Sequence, residues 1–261
     1  MTDLTGLRIL VTRPAGQEHE LMNRLTALHA HPVHYAAIEI LEPHDTATLA
    51  NIMGHLPTFA WAIFISPNAV ARAWNLWLAQ GQPWPTSVRM ACIGRGSARA
   101  LKRFGVTDVL TPGGRFDSES LLALPEMHDV KGLSVVIFRG EGGRELLGDT
   151  LTERGARVAY AECYRRGVPT ADISSLLRTW ARHGIDIVIL TSIDGLHNLY
   201  DALGQVGRRW FAKTPLIVPS ERVHEACRAI GLEGDIIIAD GADEDALIAA
   251  LHIWRHPKNL L

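Results

Sequence analysis

The chain repeats itself. GLRILVTRPAGQEHELMNRL begins at Gly6 and GLSVVIFRGEGGRELLGDTL at Gly132, an offset of 132 − 6 = 126. Under that offset Arg13 falls on Arg139, Gly16 on Gly142 and Leu25 on Leu151. FISPNAV (64–70) falls on LTSIDGL (190–196), and KRFG (102–105) on RAIG (228–231). DSESLLAL (117–124) falls within a residue of DEDALIAAL (243–251). Separate stretches matching at one offset point to two copies of one folding unit, and so long a period excludes a solenoid.

Each copy alternates short apolar runs with segments of helical spacing. LRILVT (7–12), WAIFI (61–65), ACI (91–93), SVVIF (134–138), IDIVIL (185–190), PLIV (215–218) and DIII (235–238) read as strands. Continuous apolar runs of this length suit strands covered on both faces. Strand–helix alternation implies parallel sheets, so the expected fold is two similar α/β domains. The 261 residues are enough for two medium domains, and 47% apolar residues supply their cores.

Several function classes are disfavoured by composition. A net charge of -2 gives no electrostatic reason to expect nucleic acid. No run of apolar residues is long enough for a membrane span, and the start, MTDLTGLRILVTRP, has no signal-peptide pattern. A cytoplasmic location is therefore expected. Cys92, Cys163 and Cys227 are widely spaced and read as buried small hydrophobes. His29, His31 and His34 fit no zinc spacing, so no metal site is expected. Trp74, Trp77 and Trp84 read as core or domain surface.

The chemistry concentrates where strands end. A strand–Arg–x–x–Gly–helix turn occurs twice, at TRPAGQ (12–17) and FRGEGGRE (138–145). Neither is G-x-x-x-x-G-K-[ST] or G-x-G-x-x-G, so no nucleotide loop is present. Glycine permits a tight turn, and a helix N-terminus favours an anion. Helix starts also follow Ser66, Gly94, Ser192 and Ser220. These positions lie at strand C-terminal ends, where open α/β sheets bind ligands. Simple N-capping explains such serines equally well.

Taken together, TRPAGQ, CIGRGSARAL (92–101), FRGEGGRELLGDTLTERGARV (138–158), ECYRR (162–166), LTS (190–192) and VPSERV (218–223) resemble uroporphyrinogen-III synthases in order and spacing. The RGEGGRELLGDTL block is the most specific and resembles the proteobacterial enzymes. The resemblance implies two flavodoxin-like domains joined by a two-stranded β-ladder, with the active site in the cleft. One domain would comprise 1–36 and 166–261, and the other 37–165. The crossings would be AAIEIL (36–41) and AECYRR (161–166). Such domains are expected to hinge.

The implied reaction is cyclisation of hydroxymethylbilane to uroporphyrinogen III, with inversion of ring D and loss of water, by a lyase of heme and siroheme biosynthesis. No cofactor or metal is implied. A monomer is expected, in transient contact at most with hydroxymethylbilane synthase. The substrate's eight carboxylates call for dispersed anion contacts. The resemblance therefore makes Arg13, Ser66, Gly94, Ser97, Arg139, Gly142, Arg144, Thr191, Ser192 and Ser220 substrate-binding candidates. Under the offset Ser97 meets Val223, so Ser220 is the better hydroxyl of its loop. The arginines have an alternative in structural pairs with Glu18, Glu141 or Glu145. Tyr164 is the implied catalytic residue, since a phenol is protonated at neutral pH and can donate to the departing hydroxyl. Arg166, on its face of the strand, is the expected charged neighbour.

Two other readings compete. A two-lobed anion-binding protein without catalysis would share the repeat. A tandem signalling receiver would need clustered acids after the first strand, where Thr12 and Arg13 stand instead.

Overall fold

The computed structural model describes residues 4–113 and 117–256. In chain order the elements begin β1 (Arg8–Val11), α1 (His19–Ala27), β2 (His31–His34), β3 (Glu39–Leu41), α2 (Thr46–Gly54), β4 (Trp61–Phe64) and α3 (Pro67–Leu78). They continue β5 (Arg89–Cys92), α4 (Arg95–Arg103), α5 (Ser118–Leu122), β6 (Ser134–Gly140), α6 (Leu146–Glu153) and β7 (Arg157–Gly167). They end α7 (Ser174–His183), β8 (Ile187–Ile189), α8 (Ile193–Ala202), α9 (Gly204–Phe211), β9 (Leu216–Val218), α10 (Glu221–Ala229), β10 (Ile236–Ile238) and α11 (Glu244–Arg255). By contacts the chain divides into two compact units, residues 1–40 with 167–261, and residues 41–166.

The first unit is built on a five-stranded sheet in the order β10-β9-β8-β1-β2. Its strands run parallel, with Ile9 beside Pro32 on one flank and Ile187 on the other. The reason is visible in the strands: Ile9, Leu10 and Val11 are all fully buried, as strands covered on both faces must be. Leu10, Val188 and Val218 face one core with Leu196 and Leu199 of α8. Ile9, Val11 and Ile189 face another with Leu21 and Leu25 of α1. The helices after β1 and after β8 thus cover opposite faces. That makes the β1/β8 boundary the topological switch point, where such sheets open a crevice at their strand C-terminal ends.

The second unit carries a five-stranded sheet in the order β3-β7-β6-β4-β5. β5, β4, β6 and β7 pair in parallel. Its switch point lies between β6 and β4. α6 packs Leu147 and Leu151 against Ile137 on one face. On the other, Phe64 stacks on Phe138 at 4.9 Å, and Trp74 stacks on Trp84 at 4.7 Å. Trp74 and Trp77 are buried in this aromatic core.

The two copies agree in backbone detail. Ser66 and Ser192 cap α3 and α8 with φ/ψ of -156/157 and -159/159, and each hydroxyl accepts from the amide three residues on. Gly105 and Gly231 both turn the chain at φ 84. His29, a non-glycine residue at φ 62, stands where the second copy has Gly155.

Candidate functional site

In the second unit the switch point is organised around Tyr164. Its side chain is 1% exposed, and its hydroxyl lies 3.0 Å from Ser66 Oγ. The ring fits only because position 140 is glycine. A Cβ there would stand 2.7 Å from both Cε2 and Cζ of Tyr164. Ser66 Oγ also accepts from the Ala69 amide at 3.1 Å. Either hydroxyl can be the donor in this pair. When the Tyr164 O–H donates, both Ser66 lone pairs are occupied, and the Ser66 proton is left to donate outward. The phenol's hydrogen-bond partner comes from β4's end.

Around this pair lie two helix N-termini that carry no acid of their own. α3, capped by Ser66, and α4, capped by Gly94, have no Asp or Glu in their first turns. Ser97 lies buried in the first turn of α4. In the first unit the corresponding starts are self-complemented. α8, capped by Ser192 beside Thr191, has Asp194 in its first turn, and α10, capped by Ser220, has Glu221. The Ser220 hydroxyl makes no capping bond.

The arginine turns also differ. Arg13 is committed within its unit: its guanidinium donates to Glu244, to the Gln17 carbonyl at 3.3 Å and to the Ala242 carbonyl. The Arg13 and Glu244 side chains are 11% and 10% exposed. Arg139, 4% exposed, donates to the Gly140 carbonyl at 3.2 Å and to the Gly142 carbonyl. It lies 4.7 Å over the Tyr160 ring and 3.7 Å from Glu162. Arg144 is exposed and pairs at 3.5 Å with Glu119. None of the three partners is a glutamate expected from neighbouring sequence. Tertiary packing brought Glu244, Glu162 and Glu119 to them instead.

The glycines of the FRGEGGRE turn and of α6 serve several purposes. Gly142 and Gly143 hold φ 70 and φ 103, which lets Arg139 reach across the turn. The Gly142 amide donates to the Glu162 carboxylate at 3.2 Å, so this amide already receives a carboxylate. Glu141 is held below its ordinary pKa by the backbone amide of His44, followed by its imidazole. Gly148 makes room for Tyr160, whose hydroxyl a Cβ would meet at 1.9 Å.

Among the described residues no group of three or more His, Cys, Asp or Glu could hold a metal ion. His34 Nε2 lies 2.8 Å from the Arg13 carbonyl. No described helix is long and apolar enough to cross a membrane.

A family profile described as "Uroporphyrinogen-III synthase HemD" matches residues 19–249. The chain belongs to this family. Uroporphyrinogen-III synthases of Salmonella typhimurium and Escherichia coli K12 are each 37% identical over 94% of this chain and 100% of their own length. The family is one of lyases. The fold agrees. A uroporphyrinogen III synthase structure from Thermus thermophilus superposes with TM-score 0.59 at 16% identity, covering 96% of this chain and 98% of its own. One from Helicobacter pylori gives 0.58 at 14% identity, covering 97% and 100%. No local spacing in the sequence points to Gly148, Tyr160, Glu162 or Glu244, nor to the closeness of Gly140 to the Tyr164 ring. The offset could have exposed Glu244, since it pairs that acid with Ser118.

Proposed function

We propose that this chain closes hydroxymethylbilane to uroporphyrinogen III, inverting ring D and releasing water. The observation that supports it most is the buried Tyr164 hydroxyl hydrogen-bonded to Ser66 beneath two acid-free helix starts. A polycarboxylate substrate needs anion contacts near a proton source, and the second unit offers both.

The proposed chemistry runs in steps. The terminal C–O bond breaks as the pyrrole nitrogen's electrons form the azafulvene. The departing oxygen takes the Ser66 proton and leaves as water, and Tyr164 reprotonates Ser66. The new electrophilic methylene carbon then bonds to the substituted carbon of ring D, giving a spiro intermediate. That intermediate fragments and recloses at ring D's free carbon. The proton lost there returns to the Tyr164–Ser66 pair or to water. Because the bilane closes unaided to isomer I, the protein's main task is positioning.

Gly94, Ser97, Gly142, Arg139 and Arg144 in the second unit, and Arg13, Thr191, Ser192 and Ser220 in the first, are proposed to bind carboxylates. Arg13 does so through the turn it braces. The acid-free starts of α3 and α4 favour the second unit as the stronger binder. Flavodoxin-like domains at 1–36 with 166–261 and at 37–165, linked by paired segments 36–41 and 161–166, form part of the same proposal. So do a monomer, a cytoplasmic setting in heme or siroheme synthesis and transient contact with hydroxymethylbilane synthase. The test is the isomer formed from fresh hydroxymethylbilane. A non-catalytic anion carrier would leave only isomer I.

A further inference from the structure

The second unit contains a cavity of about 200 Å³ between its sheet and helices α5 and α6, lined in part by Arg139, Arg144, Ser118 and Tyr160. The rest of the lining is aliphatic: Ile65, Ile93, Ile137 and Leu147. The cavity is too small for a drug-sized ligand, which takes about 300–1,000 Å³. It suits one short arm of a larger molecule.

The internal repeat shows what the cavity is for. Shifted by the offset, Ser118 becomes Glu244, Arg144 becomes Glu18, Tyr160 becomes His34 and Arg139 becomes Arg13. In the first unit the arginine is therefore answered from within: Glu244 pairs with Arg13, and Glu18 is 8% exposed nearby in sequence. In the second unit both acids are gone. One is replaced by a hydroxyl and the other by a second arginine. Among the described residues lining the cavity, none is acidic. The carboxylates that do approach its arginines, Glu162 and Glu119, are not among that lining, and their side chains are 40% and 55% exposed. The exposed Arg144–Glu119 pair is weak. Arg139 keeps the Gly140 and Gly142 carbonyls, the Tyr160 face and the half-exposed Glu162 as partners, and its charge still borders a cavity whose lining holds no acid.

We propose that this cavity is a subsite for one alkyl carboxylate, with Arg139 and Arg144 meeting the carboxylate and Ile65, Ile93, Ile137 and Leu147 its methylenes. The occupant supplies the charge that Glu244 supplies to Arg13. Arginine suits this because its fork matches a carboxylate's two oxygens. The assignment of that carboxylate to a propionate arm of the substrate rests on the proposed reaction. The pocket's chemistry does not, since a free short-chain acid would fit it equally.

Sodium propionate is titrated into the full-length protein while the amide signals of Ile65, Ile93 and Leu147 are followed by NMR. The shifts should saturate in the wild type. Ser118→Glu, which restores the first unit's acid at a helix start that favours it, should abolish them. With hydroxymethylbilane, Ser118→Glu should raise KM about tenfold, the scale of one charge-assisted hydrogen bond, with a smaller change in kcat. Ser175→Glu, an added charge on exposed α7 of the first unit, should do neither. A folded wild-type protein with no saturable propionate shift would overturn the subsite. Shifts lost in Ser118→Glu with KM unchanged would keep the subsite and overturn the substrate arm as its occupant. A wild type that binds propionate but makes no isomer III would overturn the proposed reaction and leave the subsite standing.

Discussion

The phenol oxygen of Tyr164 sits 3.0 Å from Ser66 Oγ, joining β7 to the cap of α3 across 98 residues of chain. Tyr164 is 1% exposed, and Ser66 is half-buried at the strand end. In the proposed mechanism the pair acts as one donor, with Tyr164 as the reserve and Ser66 as the contact.

That division separates two serines that look alike. Ser66→Ala and Ser192→Ala each remove an N-cap and should each cost about 1 kcal/mol of stability. Ser66→Ala should also lower kcat, by roughly ten- to a hundredfold, because general acids contribute about 10²–10⁴ and water can stand in, whereas Ser192→Ala, at a proposed carboxylate contact, should act on KM instead. Urea melts and initial rates on both variants check this. Equal losses of turnover would dissolve the distinction.

Gly140→Ala should displace Tyr164, since the new methyl would overlap the ring and crowd its hydroxyl oxygen at 3.1 Å. The cost should be about 1–3 kcal/mol, as for other overpacked sites, with a fall in turnover resembling that of Tyr164→Phe. Gly148→Ala should destabilise through Tyr160 by a similar amount. Thermal melts with a crystal structure of either variant would show whether the rings move.

Arg13→Ala removes the guanidinium that pairs with the buried Glu244. Breaking a buried pair typically costs about 3–5 kcal/mol, and the slight exposure of both side chains puts this one near the lower end. Arg144→Ala, whose pair with Glu119 is exposed, should cost well under 1 kcal/mol and act on substrate affinity instead. Denaturation midpoints of the two variants should therefore lie far apart.

Burial pushes the thiol of Cys163 up to about 12, and those of Cys92 and Cys227 up to about 11. The folded protein thus holds these protons beyond the ordinary value of 9.0. Below that value the contribution to stability is complete. It is lost as pH rises from about 9 toward the folded values, because the unfolded state ionises first. Stability should fall across that window, and iodoacetamide at pH 8 should label the native protein far more slowly than the unfolded chain.

Much of the fold was legible because the repeat and the strand runs are local signals. The two arginine–glycine turns were legible for the same reason: arginine, glycine and helix start stand within a few residues. The arginines' partners were not. Glu244 reaches Arg13 from 231 residues away, and only the packing of α11 against α1, β9 and β10 brings it there. Tyr164 could be singled out by resemblance, yet its dependence on Ser66 and on the missing Cβ of Gly140 is a matter of close packing, which no spacing in the chain reveals.

The central claim is that this fold imposes ring inversion and that Tyr164 speeds loss of the hydroxyl. Chromatography of the isomers formed from fresh hydroxymethylbilane, with a chelator present, tests both parts at once. The wild type should yield isomer III. Folded Tyr164→Phe should turn over roughly ten- to a thousandfold more slowly, while what it makes enzymatically remains isomer III. Isomer I alone from the wild type, at the rate of the unassisted closure, would contradict the account.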